Sequence, residues 1–335
     1  MTPGPMTLAL VFWLELGIKL AVVAAAVPAI GMVIGYAEMK LSAHMQSRVG
    51  PYFAGGRYGW AQLIADGVKF IQKEDIVPAE ADRPVFKWAP ALVLLGTMAL
   101  FVVIPLHPSR YGIVRDLDLG IFYALAISSV GTIGVLMAGW SSANKYSMIG
   151  GLRAAGQLIA YELPLVLATV GVVIQAGTMS MQGIVQSQVS QGWPFLLTQF
   201  VGLVIFMIAA LAELTRLPFD MPIAESELVM GYVTEYSGFR FLFFFLAEFA
   251  NMFTMSAIAV TLFLGGYGLW GIPTDSLLSP LIVFAKVGAL VFLMIWLRWT
   301  LPRLREDQLQ TLAWKWLIPI SILNIIVTAV LKVVL

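Results

Sequence analysis

The chain has no cysteine and only two histidines, His44 and His107, in 335 residues. Without cysteine it forms no disulfide, holds no cysteine-ligated iron–sulfur cluster and offers no thiolate to a metal. This absence leaves the compartment open. The two histidines fall on opposite sides of the membrane layout given below, so no bis-histidine haem site forms on one face. Charge is scarce as well. Only 12% of residues are charged, against about 25% in an ordinary soluble domain. A net charge of +1 gives no electrostatic footprint for nucleic acid. There is no HExxH, no nucleophile elbow and no glycine-rich phosphate loop, and "GGRYG" lacks the Lys-Ser/Thr that a P-loop needs. Low-complexity segments and internal repeats are also missing, including the inverted repeat typical of secondary transporters.

What is present is apolar. Hydrophobic residues make up 60% of the chain, and the mean hydropathy is +0.88. Apolar runs near the length that crosses about 30 Å of hydrocarbon recur at roughly 8–36, 86–106, 119–140, 157–178, 194–216, 239–265, 276–298 and 315–335. They are continuous rather than alternating, which argues spanning helices over the strands of a β-barrel. The expectation is an all-α integral membrane protein of eight transmembrane helices, forming one membrane domain over 1–335. The first run is read as a helix rather than a signal peptide, because no basic residue precedes it and it is long.

Lys and Arg set the orientation. Lys40, Arg48, Arg57, Lys69, Lys73, Arg83 and Lys87 follow the first run, and Lys145 and Arg153 follow the third. Arg216 and Arg240 flank the connection after the fifth, and Arg298, Arg303, Arg305 and Lys315 follow the seventh. The alternate connections carry only Arg110 and Arg115. The positive-inside rule puts the basic connections on the cytoplasmic side or its equivalent, with both termini outside. Trp88, Trp140, Trp193, Trp270, Trp299 and Trp316 stand near run ends, where interfacial tryptophan collects.

Two regions depart from this apolar background. In 37–84, "GWAQLIADGVKFIQKED" reads as an amphipathic helix on the cytoplasmic side. Trp60, Leu63, Ile64, Gly67, Val68 and Ile71 share one face, and Asp66, Lys69 and Lys73 lie elsewhere. Such a helix either lies in the lipid interface or floors a cavity that opens at the membrane surface. The second region is the loop 217–238, with Asp220, Glu225, Glu227 and Glu235, just after Glu213 in its apolar run.

Carboxylates also occur inside the apolar runs. An ionised side chain at the bilayer centre costs about 2.5–3.5 kcal/mol on insertion scales, so such residues face the protein interior and mark ion or substrate paths. Glu162 lies ~8 Å and Glu248 ~15 Å into their helices at about 1.5 Å per residue. With Glu213, Asp220 and Glu225 they form a candidate ladder from the surface inward. Lys286 lies near the middle of the seventh run. The competing reading is structural ion pairs between helices, with Glu248 and Lys286 as the candidate pair.

"LAELTRLPFDMPIAESELVMGYVTEYSGFRF" closely resembles the signature loop of the H-type membrane subunits of respiratory complex I, the mitochondrial subunit-one family. "ADGVKFIQKED", "RAAGQLIAYELPL" and "WLRWTLPRLREDQL" match further segments in order, and the resemblance covers 36–335. It implies an eight-helix subunit where the peripheral arm meets the membrane arm, forming part of the quinone chamber and coupling quinone reduction to proton movement. Quinone is then a substrate, and flavin, haem and clusters belong to other chains. The implied partners are the peripheral-arm quinone-module subunits, adjacent small membrane subunits and lipid. The implied location is a bacterial plasma membrane, with a mitochondrial or plastid membrane as the alternative.

Residue by residue, the resemblance implies a quinone chamber with Glu38, Arg48, Trp60, Asp66, Lys69, Phe70, Arg216 and Phe219, and an entrance segment that also matches at Lys73, Glu74 and Asp75. It implies proton coupling through Glu162, Glu213, Asp220, Glu225, Glu227, Glu235, Glu248 and Lys286. Arg153, Arg298, Arg303 and Arg305 match basic positions. Met39 stands where the family usually has Arg, "GPYFAGGRYG" replaces a shorter turn, Ile223 replaces a Glu and Glu306 a Tyr. Alternatives are the equivalent subunit of a ferredoxin-, F420- or hydrogenase-linked complex, and a stand-alone cation/proton antiporter.

Overall fold

The computed structural model describes residues 5–109, 112–269, 274 and 276–334, with backbone alone over 5–10. Arg110 and Trp270 lie outside the described residues. Among the described residues there is no β-strand. The helices are α1 Pro5–Met45, α2 Gln62–Gln72, α3 Arg83–Leu100, α4 Gly120–Ser141, α5 Lys145–Ala176, α6 Met181–Gln191, α7 Phe200–Glu213, α8 Glu225–Leu228, α9 Gly238–Phe263, α10 Ser279–Thr300, α11 Glu306–Thr311 and α12 Ile318–Val334. A π-turn over Leu312–Leu317 joins the last two into one span.

Seven described helices are long and apolar enough to cross a membrane, where eight are expected. The difference lies in the fifth run. α7 has 14 residues, ~21 Å at about 1.5 Å per residue, because the chain over 194–199 turns instead of continuing as helix. Pro194 lacks an N–H, and the backbone that follows is satisfied from outside. The Phe195 N–H donates to Gln188 Oε1 at 3.0 Å and the Leu196 N–H to the Phe263 carbonyl at 2.8 Å. Non-helical backbone is tolerated within a membrane when protein supplies such partners.

Other boundaries move for local reasons. α5 begins at Lys145 rather than near 157, because Asn144 caps it, its Oδ1 accepting from the Tyr146 N–H at 2.8 Å. α10 begins at Ser279 with Pro280 in its first turn and stops before Pro302. The 37–84 region divides. α1 extends through Met45, α2 is the amphipathic helix, and 73–82 is irregular. α6 forms between two expected spans.

α9 is the central helix. From Phe249 nearly every residue is buried, with α1, α3, α7 and α10 around it. α5 is the second hub, packed on α4, α7 and α12. Its small residues permit close approach: a Cβ on Gly139 of α4 would lie 2.9 Å from Gly151 Cα.

Candidate functional site

At the end of the bundle that carries most Lys and Arg, four charged residues from distant segments converge. Arg216, 3% exposed, sits in the turn after α7. Its Nη1 donates to Glu38 Oε2 of α1 at 2.6 Å, and its Nε lies 2.9 Å from Glu248 Oε1 of α9. Arg298, in the last turn of α10, donates to the other Glu38 oxygen. Glu38 is itself 6% exposed. The guanidinium of Arg216 stands 4.7 Å from the Phe249 ring. Two carboxylates and two guanidiniums balance, which is what allows the Arg216–Glu38 pair to be buried, with Arg298 and Glu248 half-exposed at its flanks. The expected pairing of Glu248 with Lys286 is therefore replaced by Glu248 with Arg216. The Lys286 ammonium reaches the carbonyl of Leu264 at the opposite end of α9, sixteen residues from Glu248, or ~24 Å along a helix.

An apolar slot of about 370 Å³ runs beside this tetrad between α1, α9 and α10, lined by Ile30, Ile34, Leu41, Phe253, Val291 and Ile295 among others. Ala37 of the slot adjoins Glu38, and Ile295 lies three residues before Arg298. Along α1 and α10 the slot thus reaches the level of the tetrad, while its lining is hydrocarbon and includes none of the four charged residues.

The acidic loop folds over the same end. Gly231 adopts φ +56, and a Cβ there would fall 1.8 Å from the Pro222 carbonyl oxygen, so the loop closes on itself only with glycine. Asp220 lies between the tetrad and the loop's outer charges. Burial pushes its carboxyl up to about 6, against the opposing pull of Arg303 and Arg298. Glu227 is exposed, and its Oε2 accepts from Arg153 Nη1 at 2.6 Å, with Arg303 Nη2 at 3.4 Å from the other oxygen. The hydrogen bond from Arg153 holds this carboxyl below its ordinary value. Glu225 is exposed. Glu235 accepts from Nδ2 of Asn144, the α5 cap, at 2.5 Å.

Deeper in the bundle, Glu162 of α5 accepts from Ser129 of α4. Glu213, the last residue of α7, has Oε2 buried without a hydrogen-bond partner. It lines a cavity of about 30 Å³ with Thr97, Ser128 and Asn251, space for a water molecule.

α2 lies against α1 and α9. Leu63 is buried, and Phe70 stacks on Phe241 with centroids 5.4 Å apart. Asp66 and Lys69 pair at 2.8 Å. Trp60, Ile64, Val68 and Ile71 remain exposed, so much of the apolar face is uncovered.

Other expected residues stand apart. Arg48 is exposed beyond α1 and bonds Gln46 at 2.6 Å. Phe219 is 3% exposed and packs edge-on to Tyr161, inside the core. Sequence reasoning passes over Gln157. Its Nε2 donates to the Ala212 carbonyl at 2.7 Å and the Phe219 carbonyl at 2.8 Å, tying the end of α7 to the acidic loop. The available signal is an amide inside "RAAGQLIAYELPL". Ser129 gives no signal of its own.

A family model for NADH dehydrogenase matches residues 18–329. The chain belongs to this family. Three similar proteins are each described as the H subunit of NADH-quinone oxidoreductase. That of Bacillus cytotoxicus is 46% identical over 297 residues, 88% of this chain and 87% of that protein. That of Geobacillus kaustophilus is 44% identical over 335 residues, 99% of this chain and 96% of its own. That of Anaeromyxobacter dehalogenans is 45% identical over 327 residues, 89% and 77%. Within the NADH dehydrogenase family, then, the match spans the tetrad, the acidic loop and the intramembrane carboxylates together.

Proposed function

We propose that this chain is the membrane subunit of a proton-pumping NADH:quinone oxidoreductase, complex I, and that it forms part of the quinone chamber and couples quinone reduction to proton translocation. The chain is one component of an enzyme, and electrons arrive through other subunits. Its relatives' descriptions favour the NADH-fed complex over the ferredoxin-, F420- and hydrogenase-linked alternatives. The single observation that carries the chamber is the apolar slot that reaches, along α1 and α10, the level of a charge-balanced tetrad. Slots of this kind take ligands with a hydrocarbon body and a polar head, which is the make-up of an isoprenoid quinone. The uncovered face of α2, at Trp60 to Ile71, lies beside α1 and suits the passage of its tail.

Coupling follows from the order of the carboxylates. Reduction of a quinone takes up protons near the tetrad. Asp220, placed between the tetrad and the Glu227 ion pairs, exchanges a proton near neutral pH and so changes the charge facing Arg298 and Arg303. Glu213 and Glu162 continue the series into the membrane, where Ser129 and the small cavity supply polar surroundings. The basic end faces the cytoplasm, and both termini lie outside. The assignment draws on the peripheral-arm quinone-module subunits as the neighbours over this basic end.

The test is photolabelling of the intact complex with a photoreactive isoprenoid quinone analogue. Labelling of residues 60–71 and of slot residues on α1 and α10, competed by quinone, is the expected result. Labelling confined to the connections at the opposite membrane face would overturn the placement.

A further inference from the structure

The end of the bundle opposite the tetrad holds a second cavity, of about 440 Å³, between α6, the turn after it, the loop after α9 and Lys286 of α10. Its walls are mainly apolar, from Val189, Pro194, Leu196, Leu264 and Leu269, and Trp193 stands 53% exposed among its lining residues. Among the described residues its one charged lining group is Lys286, which is half-buried. The ammonium donates to three backbone carbonyls, Leu264 at 2.6 Å, Gly266 at 2.9 Å and Gly268 at 2.6 Å. Among the described residues no carboxylate pairs with it, whereas Arg216 and Arg298 at the other end are both matched by acids. The carbonyls use its donors and offset part of its charge, but among the described residues no acid matches it. In a low-dielectric surrounding that charge attracts an anion even without a hydrogen bond. The wall composition selects the anion's company: hydrocarbon along most of the cavity, with an interfacial tryptophan beside it.

We infer that this cavity binds an anionic phospholipid of the surrounding membrane, its acyl chain against the α6 and α9-loop apolar walls and its phosphate toward Lys286. At about 440 Å³ the cavity has room for a headgroup phosphate and part of one acyl chain, with the rest of the lipid remaining in the bilayer. The site is separate from the quinone slot, which lies between other faces of α10 and α9. It gives the outer end of the chain a lipid-dependent component: the ligand's charge and the carbonyl triad together hold the α9 loop over α10.

The experiment uses the intact complex in nanodiscs carrying a photoreactive phosphatidylglycerol, a photoreactive phosphatidylcholine or a photoreactive fatty acid, with mapping of cross-linked peptides. The phosphatidylglycerol probe should label peptides covering 188–196 and 264–269 about fivefold more than the phosphatidylcholine probe, the preference one basic residue confers near an anionic lipid. Val189→Trp, which fills the cavity and leaves Lys286 in place, should abolish that labelling. Lys286→Gln should remove the preference and Lys286→Arg should retain it. If Lys286→Gln prevents assembly, Val189→Trp still decides. Equal labelling by the two phospholipids overturns the charge selection. Preferential labelling by the fatty acid overturns the phospholipid assignment, and no labelling in this region shows the cavity closed by another subunit and overturns the site.

Discussion

The two ends of the bundle solve one problem differently. At the basic end, Arg216 and Arg298 are neutralised by Glu38 and Glu248, carboxylate side chains from α1 and α9. At the other end Lys286 is held by three backbone carbonyls, which are fixed dipoles and cannot titrate. The first arrangement joins four segments through side-chain ion pairs. The second pins one loop permanently. The acidic loop lies at the first end and the fixed carbonyl clamp at the second.

The largest effect should come from Arg216→Met. It leaves Glu38 short of one cation and Glu248 without any, and breaking a buried pair from one side costs about 3–5 kcal/mol. The complex should be lost or greatly reduced on a native gel, whereas a substitution at an exposed position of α12, such as Leu323→Met, should leave its content unchanged. Normal assembly of Arg216→Met would show that the tetrad is not structurally required.

Glu213→Gln separates function from folding. The amide keeps the side chain's shape and removes ionisation, and the small cavity beside Oε2 can hold a water partner for its N–H groups, so complex content should hold. Donor-to-quinone turnover and membrane potential should fall together, by tenfold for each added barrier of about 1.4 kcal/mol. Loss of complex content instead would make Glu213 a structural residue.

Asp220→Asn sharpens the pH contrast between the ends. The folded-state carboxyl is raised to about 6, from an ordinary value of 3.8, so the folded chain binds the proton more tightly than the unfolded one. The contribution to stability is largest at acid pH and declines as pH rises from 3.8 through about 6. The turnover profile of the wild-type complex should carry a titration near pH 6, and Asp220→Asn should remove it. An unchanged profile would detach Asp220 from the coupled step.

The smallest effect is expected for the exposed pair. A double-mutant cycle of Arg153→Ala and Glu227→Ala should give a coupling of about 0.2–1 kcal/mol in thermal unfolding, weakening with salt. A value near that of the buried Arg216–Glu38 pair would mean that partner subunits cover this pair in the complex.

Class, helical content and polarity follow from the amino-acid order alone. Apolar runs near membrane length leave the backbone few partners but its own, so helices form along most of each run. The paucity of charge makes Glu162, Glu213 and Glu248 conspicuous, and "LPFDMPIAESELVMGY" marks the acidic loop. The pairings, by contrast, exist only in the folded chain. Glu38 meets Arg216 across 178 residues and Arg298 across 260, and Glu248 turns to Arg216 rather than Lys286. Hydrophobic periodicity records which face of a helix is buried, not which helix covers it or at what height. The shortness of α7 is hidden for the same reason: Gln188 and the Phe263 carbonyl, from neighbouring segments, satisfy a turn that an isolated apolar run would close as helix.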